Sequence, residues 1–217
     1  MTIKRPPGEN SIICVLLAPL RRIVLAAALG LFAQTACAET YRVDLIVFLN
    51  LWGTEGEAGT PPTARDLGAT LEPGDAAGLR ARGIQMLPED QFGLQDEWAK
   101  LRASARFRPL VKMAWTQNDP PESGGPAIHV QYGPEQTITV PGSMYSLSLR
   151  QIDGSVRLLL SRYLHLDADL AYTEAGGEDG GQTWRLDESR KLRRDELHHL
   201  DSAKLGILAR VTLAAPR

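Results

Sequence analysis

The chain has little of the chemistry that marks most enzymes. It contains two cysteines in 217 residues, and both, Cys14 and Cys37, lie near the amino terminus. It contains no Gly-x-Ser-x-Gly elbow, no Ser-x-x-Lys motif and no Gly-Lys phosphate loop, so the usual serine-nucleophile and nucleotide signatures are missing. Basic residues do not outnumber acidic ones, and a formal net charge of −2 disfavours nucleic acid as a partner.

The first 38 residues are typical of a secretory signal peptide. Basic residues up to Arg22 precede an apolar run over 23–32, and Ala36-Cys37-Ala38 offers a small-x-small cleavage site before Glu39. The apolar run is about half of the ~20 residues that span a bilayer. We therefore expect export and cleavage after Ala38. An uncleaved anchor and a lipid on Cys37 are the alternatives.

Cleavage would leave a mature chain of 179 of the 217 residues, long enough for one domain with a sizeable core. The removed segment holds four basic residues and one acid, so the net charge would fall from −2 to −5. The mature chain would have no cysteine. It would need no disulfide in an oxidising compartment and could carry out no thiol chemistry.

Short segments of alternating apolar and polar residues dominate the mature chain, which is typical of β-strands. Leu94, Trp98, Leu101 and Ala105 instead recur at helical spacing. This pattern predicts an α+β fold in which one predominantly antiparallel sheet carries one main helix packed on it. We expect strands over residues 41–48, 108–117, 128–132, 146–152, 155–172, 182–193 and 205–213.

We expect residues 39–217 to form a single domain, and two of its segments need separate interpretation. Asp153-Gly154 between alternating runs is a strong hairpin signal, so a turn is expected there, followed by one long strand over 155–172. Residues 53–93 are rich in Gly, Pro and Ala and show no clear period. A connection that long without structure is unusual in a compact domain. We therefore expect a surface excursion, with a short helical turn near 75–82.

Four blocks of the sequence resemble the CsiV family of periplasmic peptidoglycan-binding proteins from Gram-negative bacteria. The blocks are residues 41–48, the strand that carries Trp115, residues 162–170 and residues 189–206. The last block departs from the family pattern at Lys191, Leu192, His199 and Ser202-Ala203, as in a divergent member. The resemblance implies a non-catalytic protein that binds peptidoglycan and supports cell-wall synthesis. It also implies a partner, an outer-membrane lipoprotein activator of a class A penicillin-binding protein.

The charged segment 186–201 supplies the first candidates for a binding site. Its arginines, including Arg190 and Arg193, suit the free carboxylates of peptidoglycan peptides, because a guanidinium grips a carboxylate through two parallel hydrogen bonds. Alternatively, they pair with acids of a neighbouring strand, such as Asp167 and Asp169. The predicted peptidoglycan-binding residues are Arg162, Tyr163, His165, Arg190, Arg193, Glu196, His198 and Asp201.

Aromatic and imidazole side chains in these blocks raise two further possibilities. Tyr163 shares a strand face with His165 and could stack on a sugar ring, although a cross-strand partner would occupy the same ring. His165 and the acids of its strand have the chemistry of metal ligands. No tight motif such as His-Glu-x-x-His occurs, and the adjacent His198 and His199 would point to opposite sides of a strand. We expect no metal and no cofactor.

Two functions other than wall binding stay open. The first is hydrolysis of the wall, with His165 and His198 acting beside nearby acids or with a metal, since only the spatial separation of carboxylates decides whether they can cleave a glycosidic bond. The second is a protein–protein adaptor whose charged patch docks a partner without touching the wall.

Overall fold

The computed structural model describes residues 39–53, 58–140, 144, 146–176 and 181–214. From Glu39 onward the chain forms one compact unit, in which twelve strands and two α-helices are described. The strands are β1 Thr40–Asn50, β2 Thr70–Leu71, β3 Ile84–Met86, β4 Phe107–Asn118, β5 Ala127–Tyr132, β6 Gln136–Thr139, β7 Ser146–Leu149, β8 Ile152–Leu160, β9 Leu164–Glu174, β10 Gln182–Leu192, β11 Leu197–Asp201 and β12 Leu205–Leu213. The helices are α1 Ala76–Ala81 and α2 Gln95–Ala103, and Glu89–Gln91 form a short 3-10 helix.

The strands form two five-stranded sheets and one two-stranded ribbon. Sheet I has the order β11-β12-β1-β4-β3, sheet II has the order β10-β9-β8-β5-β2, and β6 pairs with β7. Every pairing is antiparallel except that of β2, which runs parallel to β5. The predicted α+β class and its predominantly antiparallel pairing are confirmed. The expectation of one sheet is corrected to two, which pack face to face.

The main core lies between the two sheets, and a second, smaller core lies under helix α2. Strand β1 serves both, because successive residues of a strand point to opposite faces. Val43 and Leu45 are fully buried against sheet II, whereas Ile46 and Phe48 pack on the other face with Leu101 of α2. Fully burying each such side chain contributes roughly 1.5–3 kcal/mol, which explains why β1 is apolar on both faces.

Both helices carry local signals that stabilise their ends. The Asp75 side chain accepts a hydrogen bond of 3.0 Å from Gly78 N–H and caps α1, so the helical turn expected near 75–82 is confirmed. Helix α2 has acidic residues in its first turn and basic residues in its last, the arrangement that complements the helix dipole. It ends at Ala103, before Ala105. No helix among the described residues is long and apolar enough to cross a bilayer.

The predicted Asp153-Gly154 turn is wrong, because both residues lie inside strand β8. The chain turns instead at Ser161–Tyr163, where Ser161 N–H donates to the Tyr163 carbonyl at 3.1 Å, and the predicted strand 155–172 is two strands. Glycine is required at position 154 by close packing: a Cβ there would lie 2.2 Å from the carbonyl oxygen of Asp169 on β9. The turn keeps the alternation in phase, so Val156, Leu158, Leu164, Leu166 and Leu170 are all buried on one side of the sheet.

Candidate functional site

The outer face of sheet II is a grid of polar side chains. Even-numbered residues are buried in the core from Ile152 to Leu158 on β8 and from Leu164 to Leu170 on β9. The odd-numbered residues between them therefore point away from sheet I. On β10 the same alternation turns Arg185, Asp187, Ser189 and Lys191 outward. We call this surface the polar face. It consists of Asp153, Ser155 and Arg157 on β8, His165, Asp167 and Asp169 on β9, and the four β10 residues just named.

A depression of about 280 Å³ lies in the middle of the polar face. Its floor comes from three adjacent strands, and one wall comes from the segment that precedes β2. The lining residues are Asp66, Leu67, Ser155, Arg157, Asp167, Ala168, Asp169, Asp187, Glu188 and Ser189.

Arg65 fastens that wall to the sheet. Its guanidinium donates to the backbone carbonyl of Asp153 at 2.9 Å and forms an ion pair of 2.5 Å with Asp169, while its side chain is 12% exposed. Arg185 reaches the same carboxylate at 3.0 Å from the other side. Further along the wall, Thr60 pairs with Thr183 in an isolated β-bridge. The segment 58–72 is therefore part of the site, although its sequence shows no period.

Arg157 stands in the depression without a partner among the described residues. It faces Asp167 across the β8–β9 ladder, yet no ion pair joins the two side chains, and its buried Nε has no hydrogen-bond acceptor among the described residues. Asp167 instead accepts a hydrogen bond of 2.5 Å from the Ser189 hydroxyl. Buried polar groups are nearly always hydrogen-bonded, so an unused guanidinium in a surface depression is a candidate ligand contact.

Three residues from the sequence-based set lie at the end of the polar face. Tyr163 and Arg162 occupy the β8–β9 turn, and His165 follows at the start of β9. His165 Nδ1 lies 3.1 Å from the carbonyl oxygen of Tyr163. The Lys191 ammonium lies 3.1 Å from the centroid of the Tyr163 ring, a cation–π contact. One face of the ring is therefore occupied by a cross-strand partner, while 46% of the residue remains exposed.

Three more members of the predicted set form the adjacent β10–β11 turn. Arg193 and Glu196 are exposed and lie 3.7 Å apart, and the Arg193 backbone N–H donates to His198 Nε2 at 2.9 Å. Asp195 sits between them with φ 65°, a left-handed conformation that Asp tolerates better than most residues. Leu164 pairs with Leu192, so this turn adjoins the turn that carries Tyr163.

Arg190 and Asp201 lie apart from these two turns. Arg190 lies on the side of β10 that faces the core. It forms an ion pair of 2.6 Å with Glu188 on its own strand. It therefore pairs with an acid, as the alternative interpretation expected, but not with Asp167 or Asp169. Asp201 ends β11, opposite Gly206, three residues beyond His198.

The histidine pair of β11 is divided between two surroundings. His198 faces the Arg193 backbone, whereas the ring of His199 stacks on Phe48 with centroids 5.8 Å apart and an interplanar angle of 19°. The two rings therefore do not face one ion site. Within the described part of the chain, no group of three or more His, Cys, Asp or Glu side chains is arranged to hold a metal.

Sequence reasoning missed Arg65, Arg157 and Asp187. The alternation of charged residues along β8 and β10 was a usable signal that a polar face exists. The unpaired state of Arg157 was not visible, because it depends on where the Asp167 side chain points. The role of Arg65 depends on a contact between residues 104 positions apart.

Comparison with known proteins identifies the family of the chain. The family model for peptidoglycan-binding protein CsiV matches residues 21–214. Because the match covers most of the chain, the protein belongs to the CsiV family. No curated protein and no solved structure matches the chain. Membership supports peptidoglycan binding and a location in the cell envelope.

Proposed function

We propose that the protein is a periplasmic, non-catalytic accessory protein that binds peptidoglycan and supports cell-wall synthesis. The observation that carries the proposal is the polar face, which ends in a cationic and aromatic cluster of Tyr163, Lys191 and Arg193. Wall polymers offer hydroxyl, amide, carboxylate and amine groups, and an open surface of alternating charges can contact many of these at once. Family membership supplies the ligand class.

Several features favour binding over hydrolysis. A hydrolase needs carboxylates that are free to transfer protons or attack. On the polar face, Asp169 is held by two arginines, Asp167 by Ser189 and Asp153 by His129. Asp187 is the polar-face acid left unpaired among the described residues, whereas glycoside hydrolysis uses two carboxyl groups. Within the described segments, His165 contacts a backbone carbonyl oxygen and no carboxylate. Side chains held in this way are better suited to binding a ligand than to catalysing a reaction.

The proposed location and partner follow from the amino-terminal sequence and from the family resemblance. A signal peptide cleaved after Ala38 would deliver the domain 39–217 to the periplasm. There, an outer-membrane lipoprotein activator of a class A penicillin-binding protein is the expected protein partner. A wall-binding domain with such a partner would link the synthetic machinery to its polymer.

Co-sedimentation with purified sacculi tests the proposal. Lys191→Ala combined with Arg193→Ala removes two exposed charges, each of which would lose a charge-assisted hydrogen bond of roughly 1.5–3 kcal/mol. We expect affinity to fall about tenfold or more, and high salt to weaken the wild type similarly. The matched control is Lys100→Ala with Arg102→Ala, two exposed positions on α2, which should pellet like the wild type.

Three results would contradict the proposal. If the folded double variant pelleted as well as the wild type, the cationic cluster would not be part of the binding site. If the wild type did not pellet, the protein–protein adaptor hypothesis would be favoured. Release of soluble fragments from dye-labelled sacculi would identify a hydrolase instead.

A further inference from the structure

Among the described residues that line the depression on the polar face, Arg157 is a cation without a partner and several others are anions. Arg157 has no hydrogen bond or ion pair within the described ranges, and its Nε is buried without an acceptor. The depression is also lined by the carboxylates of Asp66, Asp167, Asp169 and Asp187. A guanidinium offers five donors in a planar fork that matches a carboxylate. The geometry therefore provides a place for one carboxylate of a ligand.

A purely anionic ligand does not fit the remainder of the lining. Arg65 and Arg185 compensate Asp169, and Arg190 compensates Glu188. Asp187 has no such partner in the part of the chain that the structure describes, and Asp167 is bonded only to the neutral Ser189. A carboxylate bound to Arg157 would lie beside these negative charges and be repelled unless the ligand carried its own cation.

The lack of an ion pair between Arg157 and Asp167 indicates where a cation of the ligand would bind. The two residues are directly opposite in the β8–β9 register, so their Cβ atoms are about 5 Å apart, and opposite charges at that position ordinarily pair. Here they do not meet. A group with a carboxylate and an ammonium on one carbon could bridge them, with the carboxylate on Arg157 and the ammonium on Asp167 and Asp187.

We propose that this depression binds the zwitterionic end of an amino acid, in which a free amine and a free carboxylate share one carbon. The proposal rests on the proposed function, because peptidoglycan stem peptides would supply such ends. A volume of about 280 Å³ lies just below the usual range of ligand pockets, roughly 300 to 1,000 Å³. It suits one residue of a peptide stem rather than a disaccharide. The wall held by Arg65 limits its length.

Three soluble probes separate the chemical groups involved. The first is a disaccharide tetrapeptide released from sacculi, whose stem keeps a free amine and a free carboxylate on one residue. The second is the same muropeptide acetylated at that amine, and the third is the disaccharide without peptide. Calorimetry should give the first probe an affinity about tenfold or more above the other two. The Arg157 Nε–H resonance should shift with the first probe only.

Arg157→Gln should abolish that preference, because glutamine is polar but shorter, and it lacks the charged guanidinium fork. Asp167→Asn should weaken binding of the free-amine probe and leave the acetylated probe unaffected. Arg102→Gln on α2 is the matched control and should bind all three probes like the wild type. Thermal denaturation of each variant shows whether the fold is intact.

Different results would contradict the zwitterion site and the proposed function. Equal affinity for the peptide-free disaccharide, or an Arg157→Gln variant that keeps the wild-type preference, would overturn the zwitterion site while sedimentation with sacculi stayed normal. Loss of sedimentation by the wild type would overturn peptidoglycan binding itself. Preference for the free-amine probe, lost in Arg157→Gln and kept in Arg102→Gln, would support the site.

Discussion

His129 should make the stability of the protein depend on pH. The imidazole lies between two carboxylates: Nδ1 is 2.5 Å from Glu72, which follows β2, and Nε2 is 2.7 Å from Asp153 on β8. Its side chain is 11% exposed. Burial is the largest single influence and lowers the pKa of His129, but the hydrogen bonds and charges of Glu72 and Asp153 together outweigh it, so the pKa is raised.

The sign of the effect follows from this direction. A histidine whose pKa is raised in the folded state stabilises the protein below its unfolded pKa of about 6.5, and the stabilisation is lost as pH rises through the raised folded value. The bond to Asp153, which is 29% exposed, should contribute roughly 1.5–3 kcal/mol when charged. The bond to Glu72, which is 58% exposed, should contribute at most about 1 kcal/mol.

The assay is urea unfolding of the wild type and of His129→Gln at pH 6 and pH 9. We expect the wild type to be about 2–3 kcal/mol more stable than the variant at pH 6. At pH 9 the neutral ring has one donor instead of two, so the difference should shrink by about 1–2 kcal/mol. Contributions that the two proteins share cancel in this difference.

Glu72→Gln provides the matched variant, because it removes one charge beside the ring and leaves the imidazole in place. Its free energy of unfolding should vary less with pH than that of the wild type. The reasoning would be refuted if the difference between wild type and His129→Gln were the same at both pH values or larger at pH 9.

Two further predictions concern the fold and the processing of the chain. Gly154→Ala should destabilise the domain by roughly 1–3 kcal/mol, because the new Cβ would lie 2.2 Å from a backbone oxygen of β9; Gly74→Ala, which meets nothing within 4 Å, should be nearly neutral in the same denaturation assay. Mass spectrometry of the exported protein should find Glu39 as its first residue, and a mature chain that begins at a lipidated Cys37 would contradict cleavage after Ala38.

The sequence was sufficient for most strands and for their buried faces. The buried side of a strand needs apolar residues at every second position. That pattern is visible in the sequence of β8 and of β9, although the turn between them was not predicted. It could not count the sheets, because a strand has the same alternation whether a helix or another sheet covers it. Strand β1 held the missing information: since it is apolar on both faces, it requires a layer on each side.

The Asp153-Gly154 error has a similar origin. Asp-Gly favours a two-residue turn through the conformational freedom of glycine, but the same residue also permits close approach of two backbones. Which use prevails depends on the β9 backbone beside Gly154, and no local pattern contains that information. The Ser161–Tyr163 turn was missed because it has neither glycine nor proline.

The depression on the polar face depends on three chain segments that are distant in sequence. Its floor comes from β8 to β10, but the wall is held by Arg65, whose partner Asp169 is 104 residues away. His129 and Glu72 fasten the far end of the same segment. A ligand that occupied the depression would contact both floor and wall, so binding should stabilise the segment 58–72 as well as the sheet. The excursion that looked irregular in the sequence therefore links the stability of the domain to the shape of its proposed site.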